Sequence, residues 1–169
     1  FHVWSQNYTR PLEDIFAIQD EIAQDVADAL GTSLLADEQP DLRGVSTKDL
    51  SAYDSYLKGL EQQAIYSYGS LDIAESHFKQ ALARDPGFTD ARLSLVRNYL
   101  LQLSTGLINK DQALAATDPL LRQVREREPD NRLARALELS RDMMRFDPSN
   151  DSESVTASVE ELQGLLQLL

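Results

Sequence analysis

The stretch Ala74–Pro86, AESHFKQALARDP, constrains this chain more than any other. Ala74, Phe78 and Ala81 follow at spacings of four and three residues, and Pro86 closes the run five residues later. Those intervals put the three side chains on one helical stripe. The two alanines let a second helix come close, and the Phe78 ring fills the space between them. Pro86 lacks the N–H that a continuing helix needs and disfavours helical backbone at Asp85. The pattern predicts a helix over about 71–84 that packs tightly through one face and stops at a turn.

The arrangement returns 43 residues later as Thr117, Leu121 and Val124 followed by Glu128-Pro129. Each such helix has a candidate partner before it. In the first pair this is a helix from Leu50 to about Tyr66, with Tyr53, Leu57, Leu60 and Ala64 spaced for an inner face and Tyr68-Gly69-Ser70 as the break. In the second, Leu95 and Tyr99 stand four apart, and the chain loosens at Ser104-Thr105-Gly106 and Asn109 before a helix over about 110–127. Pro119 should kink that helix unless it marks a first turn. A third pair is expected over 131–169. Leu133, Ala136, Leu137, Ser140 and Met144 share one face, a turn follows at Phe146–Asp151, and Val155, Val159, Leu162, Leu165 and Leu166 lie in a helix from about Glu153. The Phe-to-Ala signature is missing from this last pair.

The Ala-x3-Phe-x2-Ala pattern with its proline stop resembles the second helix of a tetratricopeptide repeat. The resemblance implies an all-α fold, a right-handed α-α superhelix of helical hairpins over 49–169, with repeats at about 49–86, 87–130 and 131–169. The 43-residue interval exceeds the ~34 of the standard unit, and the excess is expected in the inter-helix loop near 103–110. Ahead of the repeats, residues 1–9 alternate loosely and favour a short strand or extended segment. Residues 10–35 read as an amphipathic helix with Ile15, Ile18, Ile22, Val26 and Ala29 on one stripe. Residues 36–48, with Pro40 and Gly44, read as a linker.

Two segments carry a narrower resemblance. Residues 4–23, from Trp4-Ser5-Gln6 through Arg10-Pro11-Leu12-Glu13-Asp14-Ile15-Phe16 to Ala23, and Ala52-Tyr53-Asp54-Ser55-Tyr56-Leu57-Lys58-Gly59 are similar to a junction in certain bacterial proteins. There a TolB-like amino-terminal module ends and tetratricopeptide repeats begin. The similarity covers about 4–23 and 50–99. It implies a sensory or regulatory protein whose effector is a class III adenylate or guanylate cyclase domain, or a CadC-like winged-helix regulator with a membrane span. Neither effector lies in these 169 residues, so neither activity is expected of them. The membrane-anchored relatives imply the periplasmic side of the inner membrane, and a soluble cyclase-linked relative implies the cytoplasm.

Charge narrows the partners. The net charge is −12, and residues 1–60 hold 11 acidic side chains against 4 basic ones. That field repels nucleic-acid phosphate and anionic membrane surfaces. Cysteine is absent, which removes disulfides, thiolate metal sites and a cysteine nucleophile. No apolar run reaches the ~18 residues of a membrane span. The abrupt start at Phe1-His2-Val3-Trp4 and the Leu165–Leu169 end read as a piece of a larger protein.

In a right-handed stack of such hairpins the first helices line a groove suited to a peptide or helix. Its candidate contacts are Tyr53, Tyr56 and Gln63 in the first repeat and Asp90, Leu93, Arg97 and Leu101 in the second. Tyrosine combines apolar area with a hydroxyl and loses few rotors on binding. Tyr53 and Tyr56 could instead pack against the helix over 13–30. Arg122, Arg125, Arg127, Arg132, Arg135, Arg141 and Arg145 cluster within 24 residues, interleaved with Glu126, Glu128, Asp130, Glu138 and Asp142. Arginine suits bidentate carboxylate or phosphate contacts, but at i, i+3 and i+4 spacing a solvated ion-pair network is the expectation. His2 and His77 stand apart, and Asp147–Glu153 lacks the glycine and full ligand set of a calcium loop. No cofactor, metal or catalytic constellation is expected. The functional expectation is a non-catalytic module that binds a protein or peptide, with self-association through the 162–169 tail as the alternative.

Overall fold

The protein's structure, a computed structural model, describes residues 22, 46–145 and 159–165. The expected strand at 1–9, nearly all of the 10–35 helix, the linker as far as residue 45 and the 146–158 turn and helix start lie outside the described residues. All secondary structure among the described residues is helical. Five helices follow in order: α1 Leu50–Ile65, α2 Tyr68–Arg84, α3 Thr89–Ser104, α4 Lys110–Arg127 and α5 Arg132–Arg145. Residues 159–165 are helical as well.

The helix ends follow local chemistry. Asp49 accepts the Ser51 and Ala52 N–H groups at 2.8 and 2.9 Å and starts α1. Tyr66 ends it in the left-handed conformation, φ 52°, which costs a side-chain-bearing residue about 1–2 kcal/mol. Its hydroxyl reaches Ser104 Oγ at 3.1 Å. The expected break at Tyr68-Gly69-Ser70 is instead the first turn of α2. Ser67 and Ser70 form a reciprocal capping box, which starts the helix at Tyr68, three residues earlier than the expected Leu71. Gly106, φ +78°, ends α3. The N–H groups of Gly106 and Leu107 return to Leu103 and Gln102 carbonyls at 3.0 and 2.9 Å, the paired bonds of a Schellman motif. The loop 105–109 is longer than the 66–67 connection, which places the extra length of the second repeat where it was expected. α4 continues through Pro119. Its missing N–H costs little because Ala115, whose carbonyl loses its partner, is exposed to water.

Each helix packs on its sequence neighbour, and α1 touches α3 as α3 touches α5. This is a superhelical stack rather than a bundle around one axis. α3 is the central element and buries residues on most of its circumference, from Thr89 to Gln102. On one side Ala52, Ala81, Phe88 and Ala91 join α1, α2 and α3; beside them Ala74, Phe78, Leu95 and Tyr99 pack with Tyr56 and Leu60. On the other side Leu93, Val96, Leu121, Val124, Ala134 and Leu137 join α3, α4 and α5. The six stripe positions Ala74, Phe78, Ala81, Thr117, Leu121 and Val124 are all 0% exposed.

Two faces are rotated from expectation. Leu57 is 46% exposed and Ala64 is exposed, while α1 buries Ala52, Ser55, Gly59 and Gln63. The reason is Gly59, whose backbone rests on the Phe78 ring and sets the rotation of the helix. In α5, Leu133 is 40% exposed and Ala134 takes the core position. A Cβ at Gly59 would stand 2.5 Å from Phe78 Cε1, whereas one at Gly69 meets nothing within 4 Å. Gly59→Ala should therefore lower unfolding free energy by about 1–3 kcal/mol in urea titrations followed by circular dichroism. Gly69→Ala should be neutral or add up to ~1 kcal/mol. Equal behaviour of the two variants would refute the close approach.

Candidate interaction surface

α1 and α3 run side by side in the same direction, since Tyr56 meets Phe88, Gln63 meets Asn98 and Tyr66 meets Ser104. Their shared face carries most of the residues expected to line a groove. Tyr53 and Tyr56 stack at 6.2 Å between ring centroids. Tyr56 also lies 4.9 Å from Phe88 and 6.1 Å from Phe78, so half of its ring is core. Burial pushes its phenol above the ordinary 10.0, and the nearby Asp90 and Tyr53 add to this against Ser94 and Arg97.

Gln63 is only 5% exposed, so it supports the face instead of lining it. Its amide nitrogen donates to the Ser94 carbonyl at 3.1 Å and to Asn98 Oδ1 at 3.3 Å. Its amide oxygen accepts from Arg97 Nε at 2.8 Å and from Nη2 at 2.5 Å. Arg97 thus stays exposed but is gripped in one orientation. Leu101 is half-buried one turn beyond it. Leu93, at 2% exposure, points into the α3–α4–α5 core and offers nothing to a partner. It stands four residues before Arg97, but the next hairpin has already covered that end of the helix. Asp90 is engaged from within the chain: its Oδ2 accepts the Ser46 N–H and hydroxyl at 2.9 and 2.8 Å. Thr47 donates to Asp85 at 2.6 Å and is buried. The end of the expected linker is therefore strapped across the α2–α3 turn.

Sequence reasoning missed a polar seam beneath this face. Asn98 donates to the Leu71 carbonyl at 2.9 Å. Gln102 donates to Glu75 at 2.8 Å, Tyr99 donates to Glu75 at 3.1 Å, and Lys79 donates to it at 2.5 Å. The signal was present in Ser94, Asn98 and Gln102, a four-residue polar spacing inside an otherwise core-facing helix. Three arginines of the cluster, Arg125, Arg135 and Arg141, form ion pairs, while Arg127 donates to the Pro86 carbonyl at 3.1 Å. Arg135 pairs with Glu138 at 3.8 Å and with Glu161 at 2.8 Å, and Arg141 pairs with Asp142 at 2.8 Å. Glu138 otherwise reaches across to Arg125 on α4 at 2.6 Å instead of along its own helix to Arg141. His77 Nδ1 is buried without a hydrogen-bond partner. Among the described residues no group of three or more His, Asp or Glu could hold a metal ion, and no helix is long and apolar enough to cross a membrane.

No family model matches the chain, and no solved structure matches it. A curated protein of Rhizobium meliloti (strain 1021), described as a putative adenylate cyclase 3, is 35% identical over 96 residues. The match takes in 56% of this chain and 16% of that protein, so the chain spans a small part of its relative.

Burial works to raise the Glu75 carboxyl, but hydrogen bonds from Lys79, Gln102 and Tyr99 and the Lys79 charge outweigh it and hold it below its ordinary 4.5. The unfolded chain therefore takes up this proton first as pH falls. The contribution of Glu75 is complete above the unfolded value and is lost as pH drops through the folded one. Glu75→Gln should cost about 1 kcal/mol at neutral pH. It should also flatten the fall in Tm between about pH 5 and pH 3 relative to the parent chain. Parallel Tm–pH curves for the two proteins would overturn this assignment.

Proposed function

We propose that this chain is a non-catalytic interaction module of tetratricopeptide-repeat type within a bacterial regulatory or signalling protein, and that it binds a peptide or protein partner across the α1–α3 face. The observation that carries the reading is the exposed Arg97 guanidinium, pre-set by the buried Gln63 amide on the same face as the Tyr53–Tyr56 ring pair. A fixed guanidinium loses less freedom on binding than a mobile one, and arginine and tyrosine are the side chains that most often dominate interface energy. Tyr53, Tyr56, Arg97 and Leu101 make the contacts in this reading, with Gln63 behind them. The all-helical stack and the Ala74–Phe78–Ala81 stripe support the repeat type. The partial likeness to a putative adenylate cyclase supports a place beside an effector. That effector is a cyclase or winged-helix domain in the larger protein, and this module lies on the periplasmic side of the inner membrane or, in a soluble relative, in the cytoplasm.

Self-association is the second reading. It is favoured by Leu57, Ile65, Tyr66, Tyr68 and Ile73, all of them 46% or more exposed around the α1–α2 hairpin. Light scattering over a wide concentration range separates the two, since a strict monomer removes the second. For the first, peptides selected on the chain from a random array should bind about tenfold more weakly to Arg97→Ala and to Tyr53→Ala. Tyr53→Ala should keep the parent Tm within a few degrees, whereas Arg97→Ala, which leaves the buried Gln63 oxygen without its donor, should lower Tm by several degrees, so binding is read well below both transitions. Selected peptides that bind both variants as well as the parent would refute the α1–α3 face.

A further inference from the structure

α1 carries an apolar ridge that its neighbours only partly cover. Tyr53, Leu57, Leu60 and Ala64 follow at spacings of four, three and four, so they share one stripe. Leu57 is 46% exposed and Ala64 is exposed, while Tyr53 and Leu60 are half-buried. Leu60 packs on the cluster that holds Leu95 and Tyr99, so the ridge borders α3. The chain also supplies a helix-patterned segment, tethered at one end of this face. Ser46 donates through its N–H and its hydroxyl to Asp90 at 2.9 and 2.8 Å, and the Asp90 N–H returns to Ser46 Oγ at 3.1 Å. Asp90 lies in the first turn of α3, and α1 begins at Leu50. The residues before 46 therefore leave from the end where both helices start. The ten residues 36–45 reach at most about 33–36 Å, and α1 is about 24 Å long, so a helix over 10–35 can reach any point of the ridge. Its stripe from Ile15 to Ala29 would be about 21 Å long, against about 17 Å from Tyr53 to Ala64. Ile22, at the middle of that stripe, is helical and partly buried, whereas an amphipathic helix standing alone leaves its apolar face in water.

We infer that residues 13–30 of this chain are the resting occupant of the α1 ridge. The Ile18–Ile22–Val26 stripe seats against Leu57 and its neighbours, and an outside partner reaches the α1–α3 face by displacing it. The competition rests on the α1–α3 reading above, whereas the seating does not. The tether decides the choice of occupant. A segment on a short linker meets its site at an effective concentration on the order of 1 mM, which a second copy in dilute solution does not match. Both surfaces are apolar stripes at helical spacing, so a helix laid along α1 buries the two together. The α1–α3 face is thereby self-capped, and the affinity for a partner is reduced by the fraction of chains in which the face is open.

The chain has no cysteine, so a single introduced one carries a nitroxide label at a chosen place. Glu61 is exposed one turn from Leu57 and Ala64, and Met143 is 39% exposed on α5, at the other end of the stack. On the full chain, the label at Glu61→Cys should broaden the amide NMR signals of residues 15–29, and the label at Met143→Cys should leave them sharp. Leu57→Asp, a change at an exposed position, should abolish the broadening and keep the signals of α2 to α5 in place. Equal broadening from the two labels, or none from Glu61→Cys, would overturn the seating. Nitroxide-labelled chains mixed with unlabelled nitrogen-15 chains report contacts between copies alone. Broadening in that mixture as strong as within one chain would give the ridge to a second copy and overturn the assignment to residues 13–30. Peptides selected on the array should bind Ile22→Asp about tenfold more tightly than the parent. Seating observed by the label together with unchanged peptide affinity in Ile22→Asp would overturn the competition. Peptides indifferent to Arg97→Ala and Tyr53→Ala would instead refute the α1–α3 reading, with the seating decided separately by the label.

Discussion

The stack depends on one contact, the Phe78 ring against the bare backbone of Gly59. A Cβ at position 59 would lie 2.5 Å from the ring, closer than side-chain carbons pack. The glycine lets α1 settle onto α2 at a distance no other residue allows, and the ring then fills what would otherwise be a void. Glycine in a helix interior costs about 1 kcal/mol against alanine, while truncating a buried phenylalanine to alanine costs about 3–5 kcal/mol. Packing wins. The same ring touches the row that carries Leu95 and Tyr99 from α3, so the first hairpin and the start of the second are set by one side chain. α4 and α5 extend the scheme with Leu121 where Phe78 stood, a smaller residue that needs no glycine opposite it.

Apolar burial alone would let α3 slide along the hairpin, because alanines and leucines accept many neighbours. The polar seam removes that freedom. The Gln63 amide is satisfied at both ends, by Arg97 on one side and by Ser94 and Asn98 on the other. Asn98 and Gln102 both take the Leu71 carbonyl, at 2.9 and 3.5 Å. A shift of one turn would strand these buried groups, each at a cost of about 1–3 kcal/mol. The network also converts packing into a surface: the hydrogen bonds that register α1 on α3 are those that hold Arg97 outward. Stability and the proposed binding face therefore share residues. The α4–α5 seam repeats the principle with charge, where buried Glu138 orients Arg125 across the two helices.

The helices, their order and the tight stripes were legible because they follow from local chemistry. Ala74, Phe78, Ala81 and their counterparts 43 residues on fix which faces are buried, and Asp85-Pro86 and Glu128-Pro129 fix where the chain turns. The extra loop length near 105–109 and the mixed-charge character of the arginine cluster were readable for the same reason, since spacing along one chain decides both. Helix starts were less legible. Ser67 and Ser70 outweighed Gly69 because a capping box satisfies N–H groups directly, whereas a glycine merely permits a break.

Only the tertiary structure decided how far each helix is turned about its own axis. That choice moved Leu57 outward and Gln63 inward, gave Leu93 to the next hairpin and committed Asp90 to Ser46. It also drew Glu138 away from its helical neighbour to Arg125 across the seam. Periodicity fixes a stripe only to within about one position, roughly 100° of rotation, and the final angle is set by shapes and donors on other helices. The amino-acid order thus determined that this chain forms stacked helical hairpins with close, alanine-lined contacts. Which of its polar side chains face solvent and which are buried was settled by inter-helix contacts that no single segment contains.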